Sequence, residues 1–250
     1  MKKIFFLSLA LFSIIMYGQN VVVIEYRHVS SEHIAEFEAK EMNHWSKVKQ
    51  NGIDQGHMLA SAFFRVADAG RIEDNTVPTH AFVHVYKDFE QLANSSKVWS
   101  NSEEILGMDQ SIVSTEDIST TMRIQRYKLI DEILPLREFK YAVWNYAKPK
   151  DLNGFVNENL KLWKPYFQKK LGKNGLAGYG ILARVYPQGM EQSSILTYDH
   201  YTDLASAMKA LSPMDYDSSI LSKSKMSEYD PDGFRYRVLV ELLQLQGSVE

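Results

Sequence analysis

The sequence contains no cysteine. It therefore has no disulfide framework, no thiol nucleophile, no thiolate metal site and no lipid-modified cysteine. This absence suits a compartment in which thiols are oxidised. Lysine and arginine do not cluster, and the net charge is −3. Nucleic-acid-binding domains carry a basic patch or stripe, so we expect no nucleic-acid partner.

Long apolar runs are also absent, except at the N-terminus. Lys2 and Lys3 precede the apolar run Ile4–Met16. This run is shorter than the roughly 20 residues that a membrane-spanning helix needs. The layout indicates a signal peptide over residues 1–18, so we expect a periplasmic or extracellular protein that leaves the membrane after cleavage. An uncleaved anchor and a buried first strand are the alternatives.

What the sequence does contain is a long internal repeat. Trp163 follows Trp45 by 163 − 45 = 118 positions, and Arg184 follows Arg65 by 184 − 65 = 119. Leu152 and Phe155 repeat the apolar positions of the first long helix at the same offset of 118. Solenoid repeats have periods of roughly 20–50 residues, so the offset indicates a duplicated domain.

Each half has the same predicted order of elements: strand, long helix, two strands, short helix, strand. This is the β-α-β-β-α-β order of a ferredoxin-like unit. We predict a signal peptide, a first repeat, a linker containing Pro135 and a second repeat, with bounds 1–18, 19–133, 134–138 and 139–250. The predicted strands cover 21–26, 58–66, 80–86 and 122–130 in the first half, and 139–146, 177–185, 194–200 and 235–245 in the second.

A single ferredoxin-like unit leaves one face of its sheet uncovered, and that face must pack against something. We therefore predict an α+β fold in which the two fused repeats bury each other's sheets as an intramolecular pseudo-dimeric α/β barrel. One chain would then be a monomer that supplies both halves of the pseudo-dimer. The order of elements and the repeated Trp and Arg-Val positions resemble the dimeric α/β-barrel superfamily.

The resemblance implies several possible activities. Members of the superfamily include antibiotic-biosynthesis-type monooxygenases, haem-degrading monooxygenases and stress-responsive barrel proteins. The haem-degrading members use an Asn on the first strand, a Trp, and an axial His on a later helix. Asn145 and Trp99 lie in different halves here, and no His follows Trp99 in the first half. The resemblance therefore argues against haem chemistry, and we expect no cofactor.

Two segments are longer than a ferredoxin-like unit needs before its last strand, 95–121 and 208–233. Both are rich in Ser and Asp, and each carries an Ile-Leu pair, Ile105-Leu106 and Ile220-Leu221. We predict that each segment forms a short extra helix that packs its pair over the unit as a lid.

The second strand of each half indicates a ligand pocket. Matched at the offset of 119, Arg65 and Arg184 fall on one kind of face beside small residues, and an arginine beside free space can hold a carboxylate or phenolate. Pairing of each arginine with an acidic residue, or solvent exposure, is the alternative. A pocket between sheet and helices would have aromatic walls suited to a flat apolar ligand with one polar edge. The candidate ligand-binding residues are Trp45, Ser61, Arg65, His84, Trp163, Gly180, Arg184 and Tyr198.

The first long helix offers a candidate catalytic pair. Glu41 and His44 are three residues apart on its apolar side, whereas the second half has Asn159 and Leu162 at these positions. A carboxylate that orients an imidazole can transfer protons, although a helix-surface hydrogen bond would give the same pattern. His80 and His84 are about 13 Å apart along a strand, too far to share a metal ion, so we expect no metal site.

Two functions remain open from the sequence. The first is an exported protein that binds a small apolar or aromatic molecule without catalysis. The second is a cofactor-independent monooxygenase-like enzyme that acts on a small aromatic substrate through Glu41 and His44.

Overall fold

The computed structural model describes residues 20–68, 76–135, 138–212 and 218–247. Eight strands form the central sheet of this part of the chain. They are β1 (Val21–Val29), β2 (Ala60–Val66), β3 (His80–Tyr86), β4 (Ser119–Ile133), β5 (Tyr141–Ala147), β6 (Leu176–Tyr186), β7 (Ile195–Tyr201) and β8 (Tyr236–Gly247).

The strands close into one antiparallel barrel in the order β1-β3-β2-β8-β5-β7-β6-β4. Within each half the spatial order is last strand, first, third, second, as in a ferredoxin-like unit. The pairs β2–β8 and β4–β6 join the two halves. The predicted α+β pseudo-dimeric barrel is therefore confirmed, and closure leaves the sheet without an open edge.

Alternation along the strands separates a lumen from an outer, helix-facing surface. The lumen is mainly apolar and buries residues of all eight strands, among them Val22, Phe64, Trp144, Leu182 and Val240. The hydroxyls of Tyr26 and Tyr146 hydrogen-bond to each other inside it. These tyrosines occupy matching positions on β1 and β5, so the two halves contribute equivalent residues to this contact.

The helices cover the outside of the barrel. They are α1 (Ile34–Lys40), α2 (Ser46–Asp54), α3 (Phe89–Ala93), α4 (Ser102–Leu106), α5 (Leu152–Glu158), α6 (Lys164–Lys170), α7 (Leu204–Leu211), α8 (Ser218–Leu221) and α9 (Met226–Tyr229). Short 3-10 turns cover Ser31–His33, Ser95–Val98 and Gln110–Val113. None of the described helices has the length and apolarity of a membrane-spanning segment.

A π-helical turn interrupts the long helix of each half. The turns span Glu41–Trp45 between α1 and α2 and Asn159–Trp163 between α5 and α6, again 118 positions apart. π-turns inside α-helices are rare and occur often at functional sites. The repeat thus extends to a detail of backbone geometry, and it places Trp45 and Trp163 at equivalent positions.

The predicted extra helices are present. Leu106, on α4, is buried with Val48 and Val113. Ile220, on α8, is buried, but its neighbour Leu221 is half exposed at the wall of a cavity. Asp88 caps α3, since its side chain accepts a hydrogen bond from the Gln91 backbone N–H.

Other expectations fall outside the described residues. The predicted signal peptide lies there entirely, and the predicted linker lies there in part, at residues 136–137.

Candidate functional site

Each half has a cavity between the outer face of its sheet and its helices. The second-half cavity has a volume of about 390 Å³. This lies within the range of roughly 300–1,000 Å³ that is usual for small-molecule sites. Its walls are mostly apolar and come from β6, the long helix with its π-turn, α8, α9 and the segment before β8: Phe155, Trp163, Phe167, Tyr179, Leu221, Met226 and Phe234.

One edge of this cavity is polar and is built from three strands. Arg237 Nε, on β8, donates to Asn145 Oδ1, on β5, at 2.6 Å. Asn145 Nδ2 then donates to Asp199 Oδ2, on β7, at 2.9 Å. The arginine thereby fixes which way the amide faces. Arg237 is itself held by the backbone carbonyls of Ala210 and Leu211 at the end of α7.

Asp199 is the chemically unusual member of this edge. Burial raises the pKa of its carboxyl to about 6, against the lowering effects of the Asn145 hydrogen bond and the Arg237 charge. Its Oδ1 accepts no hydrogen bond from the described residues. A buried carboxyl that lines a cavity, titrates near neutral pH and keeps a free oxygen can accept a hydrogen bond or a proton from a ligand.

The helix side of the same cavity is held rigidly. The Tyr179 hydroxyl donates to Asn159 Oδ1 at 2.5 Å, and Asn159 Nδ2 donates to the Phe155 carbonyl at 2.9 Å. Trp163 Nε1 donates to Glu158 at 3.0 Å. These bonds fix the aromatic walls, as a preformed site requires.

The first-half cavity is larger, about 760 Å³, and much more polar. Several of its charged groups are paired with one another. Lys49 Nζ, on α2, donates to Glu41 at 3.0 Å, Thr115 donates to the same carboxylate at 3.2 Å, and Arg27 pairs with Glu25. Lys49 is 2% exposed and lies over the Phe82 ring. This buried ion pair fills the position that Asn159 and Phe167 occupy in the second half.

His84 and Ser61 also meet on this side of the sheet. The Ser61 hydroxyl and His84 Nδ1 are 3.1 Å apart, and the imidazole packs against Phe82 and Trp99. Burial, followed by the charge of Lys49, lowers the pKa of His84 to about 3. The imidazole is therefore neutral at physiological pH.

The two residues of the proposed catalytic pair do not hydrogen-bond to each other. Glu41 lines the first-half cavity, but its carboxylate bonds to Lys49 and Thr115 and not to His44. His44 is not on the wall of either cavity, and its buried Nδ1 has no hydrogen-bond partner among the described residues. The geometry thus gives no support to proton transfer through these two residues together.

The two arginines lie on opposite faces, contrary to the prediction. Arg65, on the helix side of β2, forms a two-bond ion pair with Glu38, which is the acidic pairing left open as the alternative. Arg184 lies on the lumen side of β6, over the Tyr127 ring. The reason is a one-residue error in the alignment. His84 on β3 and Asp199 on β7 are equivalent residues of the two halves. His84 pairs with Ser61 on β2, and Asp199 pairs with Tyr179 on β6, so β2 and β6 match at an offset of 118. A shift of one residue exchanges the two faces of a strand.

The other candidate ligand-binding residues divide between three places. Trp45 and His84 line the first-half cavity, with Ser61 bonded behind His84, and Trp163 lines the second-half cavity. Tyr198 points into the lumen, and Gly180 makes room for it, because a Cβ there would overlap the Tyr198 ring. No single pocket brings these residues together.

Sequence reasoning missed the polar edge of the second-half cavity. The resemblance singles out Asn145 only as a haem-type residue, and the predicted site residues include neither Asp199 nor Arg237. One signal was available: Asp199 interrupts the predicted strand 194–200 on the face that carries Ile195 and Thr197. An acid within a largely apolar strand face is uncommon and indicates a special environment.

Comparison with known proteins bears on the fold. No family model matches the sequence, and no curated protein matches it. Solved structures do match over almost the whole chain. A monooxygenase candidate from Fusobacterium nucleatum has a TM-score of 0.61 at 13% identity, covering 93% of this chain and 96% of its own.

Two further matches have other names. An anthrone oxidase-like protein has a TM-score of 0.55 at 12% identity, covering 93% of this chain and 94% of its own. A haem-binding protein from Thermus thermophilus has a TM-score of 0.51 at 10% identity, covering 90% and 92%. The fold is that of the dimeric α/β-barrel superfamily. Identities this low carry the architecture, and function has to be argued from the site itself.

Proposed function

We propose that this protein binds a small, flat, mostly apolar molecule in the second-half cavity, with a hydroxyl or similar polar group of the ligand at Asp199. The observation that carries the proposal is the Oδ1 of Asp199, a buried carboxyl oxygen that accepts no hydrogen bond from the described residues and lies beside the aromatic wall of the cavity. Export of the protein, as the N-terminal residues indicate, is part of the proposal.

The contrast between the two halves supports this choice of cavity. Buried polar groups cost free energy unless they are bonded, so a cavity with an unused acceptor favours a ligand that supplies a donor. In the first half, Glu41, Lys49, Thr115, His84 and Ser61 bond among themselves. In the second half, Asp199 Oδ1 accepts no hydrogen bond from the described residues, and the buried carboxyl of Asp230 lies on the same cavity.

A second candidate function is oxygenation without a cofactor, and the properties of Asp199 favour it. A base with a pKa of about 6 can remove a proton from an activated CH₂ group next to aromatic rings. The resulting carbanion would reduce dioxygen. The balanced reaction is R₂CH₂ + O₂ → R₂C=O + H₂O, in which carbon is oxidised and dioxygen is both oxidant and oxygen donor. The names of two structural relatives, a monooxygenase candidate and an anthrone oxidase-like protein, agree with this chemistry.

Haem does not fit the residues of either cavity. The second-half wall contains no His or Cys, and its Tyr179 hydroxyl is already bonded to Asn159. In the first half, His84 could offer a nitrogen, but the buried ammonium of Lys49 lies close enough to lower the pKa of that imidazole. A cation at this position would also oppose binding of a positively charged iron. We derive no step through haem.

Binding of 1-naphthol and 1-methylnaphthalene, measured by calorimetry, tests the proposal. The two probes have the same shape, and only the first carries a hydroxyl. We expect 1-naphthol to bind the wild-type protein at least about tenfold more tightly, since hydrogen bonds to charged acceptors contribute roughly 1.5–3 kcal/mol. The Asp199→Leu variant should lose this preference while still binding both probes.

His84→Leu is the matched control, because His84 occupies the position on β3 that Asp199 occupies on β7. Naphthol binding should be unchanged in this variant. Loss of binding in His84→Leu together with full binding in Asp199→Leu would place the site in the first half. For the oxygenase candidate, the measurement is dioxygen consumption with anthrone, which should require Asp199 and proceed without added metal or flavin.

A further inference from the structure

A third cavity lies in a different place, inside the barrel. It has a volume of about 160 Å³ and an almost entirely apolar wall. It lies between the strands of the two halves, so it is separate from both helix-side cavities. The strands of both halves line it, with Ala62, Val83, Val85, Leu182 and Leu196 among its residues. An engineered apolar cavity of about 150 Å³ in another protein stays dry and binds benzene, so the space suits a single small ring.

One end of the cavity carries three polar side chains. The Tyr198 hydroxyl donates to Glu132 Oε2 at 2.8 Å, and His200 lies beside them with its ring stacked on Phe139 at 3.8 Å. The second-half strand β6 makes space for this group with glycines. A Cβ on Gly178 would come within 3.0 Å of His200 Nδ1, and one on Gly180 would overlap the Tyr198 ring.

The polar end is not satisfied by the protein alone. His200 Nδ1 is buried and has no hydrogen-bond partner among the described residues. Burial lowers the pKa of His200 to about 3, so the imidazole is neutral at physiological pH, and burial also raises the pKa of Glu132. An imidazole without hydrogen bonds in an apolar lumen is costly, and phenylalanine would fill the same space without that cost. The arrangement therefore calls for a partner that the chain does not supply.

We propose that the barrel lumen is a separate ligand site, which takes a compound the size of a single aromatic ring with one hydroxyl group directed at the cluster of Glu132, Tyr198 and His200. The apolar body of the ligand would fill the empty space between the strands of the two halves. The hydroxyl would bond to the polar groups at the end of the cavity. The inference is independent of the function proposed for the second-half cavity.

Phenol and toluene are the probes, because they differ mainly in the hydroxyl. Protein labelled with ¹³C at Leu and Val methyls reports the location: Val83, Leu182 and Leu196 lie on the lumen cavity, and Leu221 lies on the second-half cavity. We expect both probes to shift the lumen methyls saturably. Phenol should bind roughly fivefold to tenfold more tightly, the equivalent of one ordinary hydrogen bond. His200→Phe should reduce that preference at least about threefold.

Ala62→Leu tests the cavity itself, and Ala142→Leu is its control. Both alanines are buried in the lumen, but only Ala62 lines the cavity. Ala62→Leu should keep or raise the Tm and abolish the lumen shifts with both probes. Ala142→Leu should lower the Tm, because added methyl groups strain a packed core. An equal fall in Tm for both variants, or probe-induced shifts at Leu221 without shifts in the lumen, would overturn the proposal.

Discussion

Replacement of Lys49 by Phe is expected to destabilise the protein by about 3–5 kcal/mol, which is the usual cost of removing one partner of a buried ion pair. Glu41 would remain in the interior with Thr115 as its only bonding partner among the described residues. The Lys49 contact with the Phe82 ring would also be lost. Urea unfolding at pH 7, followed by circular dichroism, measures the change.

The second half of the chain supplies the control for this experiment. Phe167 and Asn159 stand 118 positions after Lys49 and Glu41. The double variant Glu41→Asn/Lys49→Phe therefore copies a pair of residues that already packs in the same fold. We expect it to recover most of the loss, because neutral replacement of a whole buried pair is often close to neutral. A single variant that costs less than about 1 kcal/mol would show that Glu41 is not buried as described.

Replacement of Asp199 by Asn is expected to stabilise the protein at pH 7–8 by about 3 kcal/mol. The carboxyl pKa is raised from 3.8 to about 6, and each pKa unit corresponds to about 1.4 kcal/mol. At neutral pH the folded protein must hold this carboxylate charged inside the cavity, and the uncharged Asn avoids that cost. The Asn145 amide can still donate to the new side chain.

The pH dependence of this effect has a definite sign. Between pH 4 and pH 6 the folded protein binds a proton at Asp199 that the unfolded chain has lost, so this group makes stability fall as pH rises. The gain from Asp199→Asn should therefore be near zero at pH 4, grow up to about pH 6 and stay constant above. Effects of His84 and His200 are common to both proteins and cancel. A gain that does not change with pH would contradict the raised pKa. Stability gained on removing a polar group that ligand binding needs is typical of a functional site.

The fold was predictable from the sequence because the repeat constrains it strongly. The pair Trp45 and Trp163, together with the order of strands and helices, implied two units whose uncovered sheet faces must meet. The closed barrel follows from that requirement. Burial of Leu106 and Ile220 was predictable for a similar reason, since each belongs to an Ile-Leu pair in a segment rich in Ser and Asp.

The site was much less predictable. The polar edge joins Asn145, Asp199 and Arg237. Asp199 lies 54 positions after Asn145 and Arg237 lies 92 positions after it, and the three meet only because β5 lies between β7 and β8. The arginine prediction was wrong by one residue. It matched Arg65 to Arg184 at an offset of 119, whereas the two strands match at an offset of 118. Pairing of residues across strands, rather than spacing along the chain, decides both outcomes.

Titration of 1-naphthol into protein labelled with ¹³C at methionine methyl groups tests the central claim most directly. Met226 lies on the second-half cavity, whereas Met42 and Met108 pack in first-half clusters. A ligand site at Asp199 predicts a saturable shift of the Met226 methyl signal, no shift at Met42 or Met108, and an affinity that falls at least about tenfold in Asp199→Leu. Shifts confined to the first-half methionines, or a Met226 shift that is unchanged in Asp199→Leu, would contradict it.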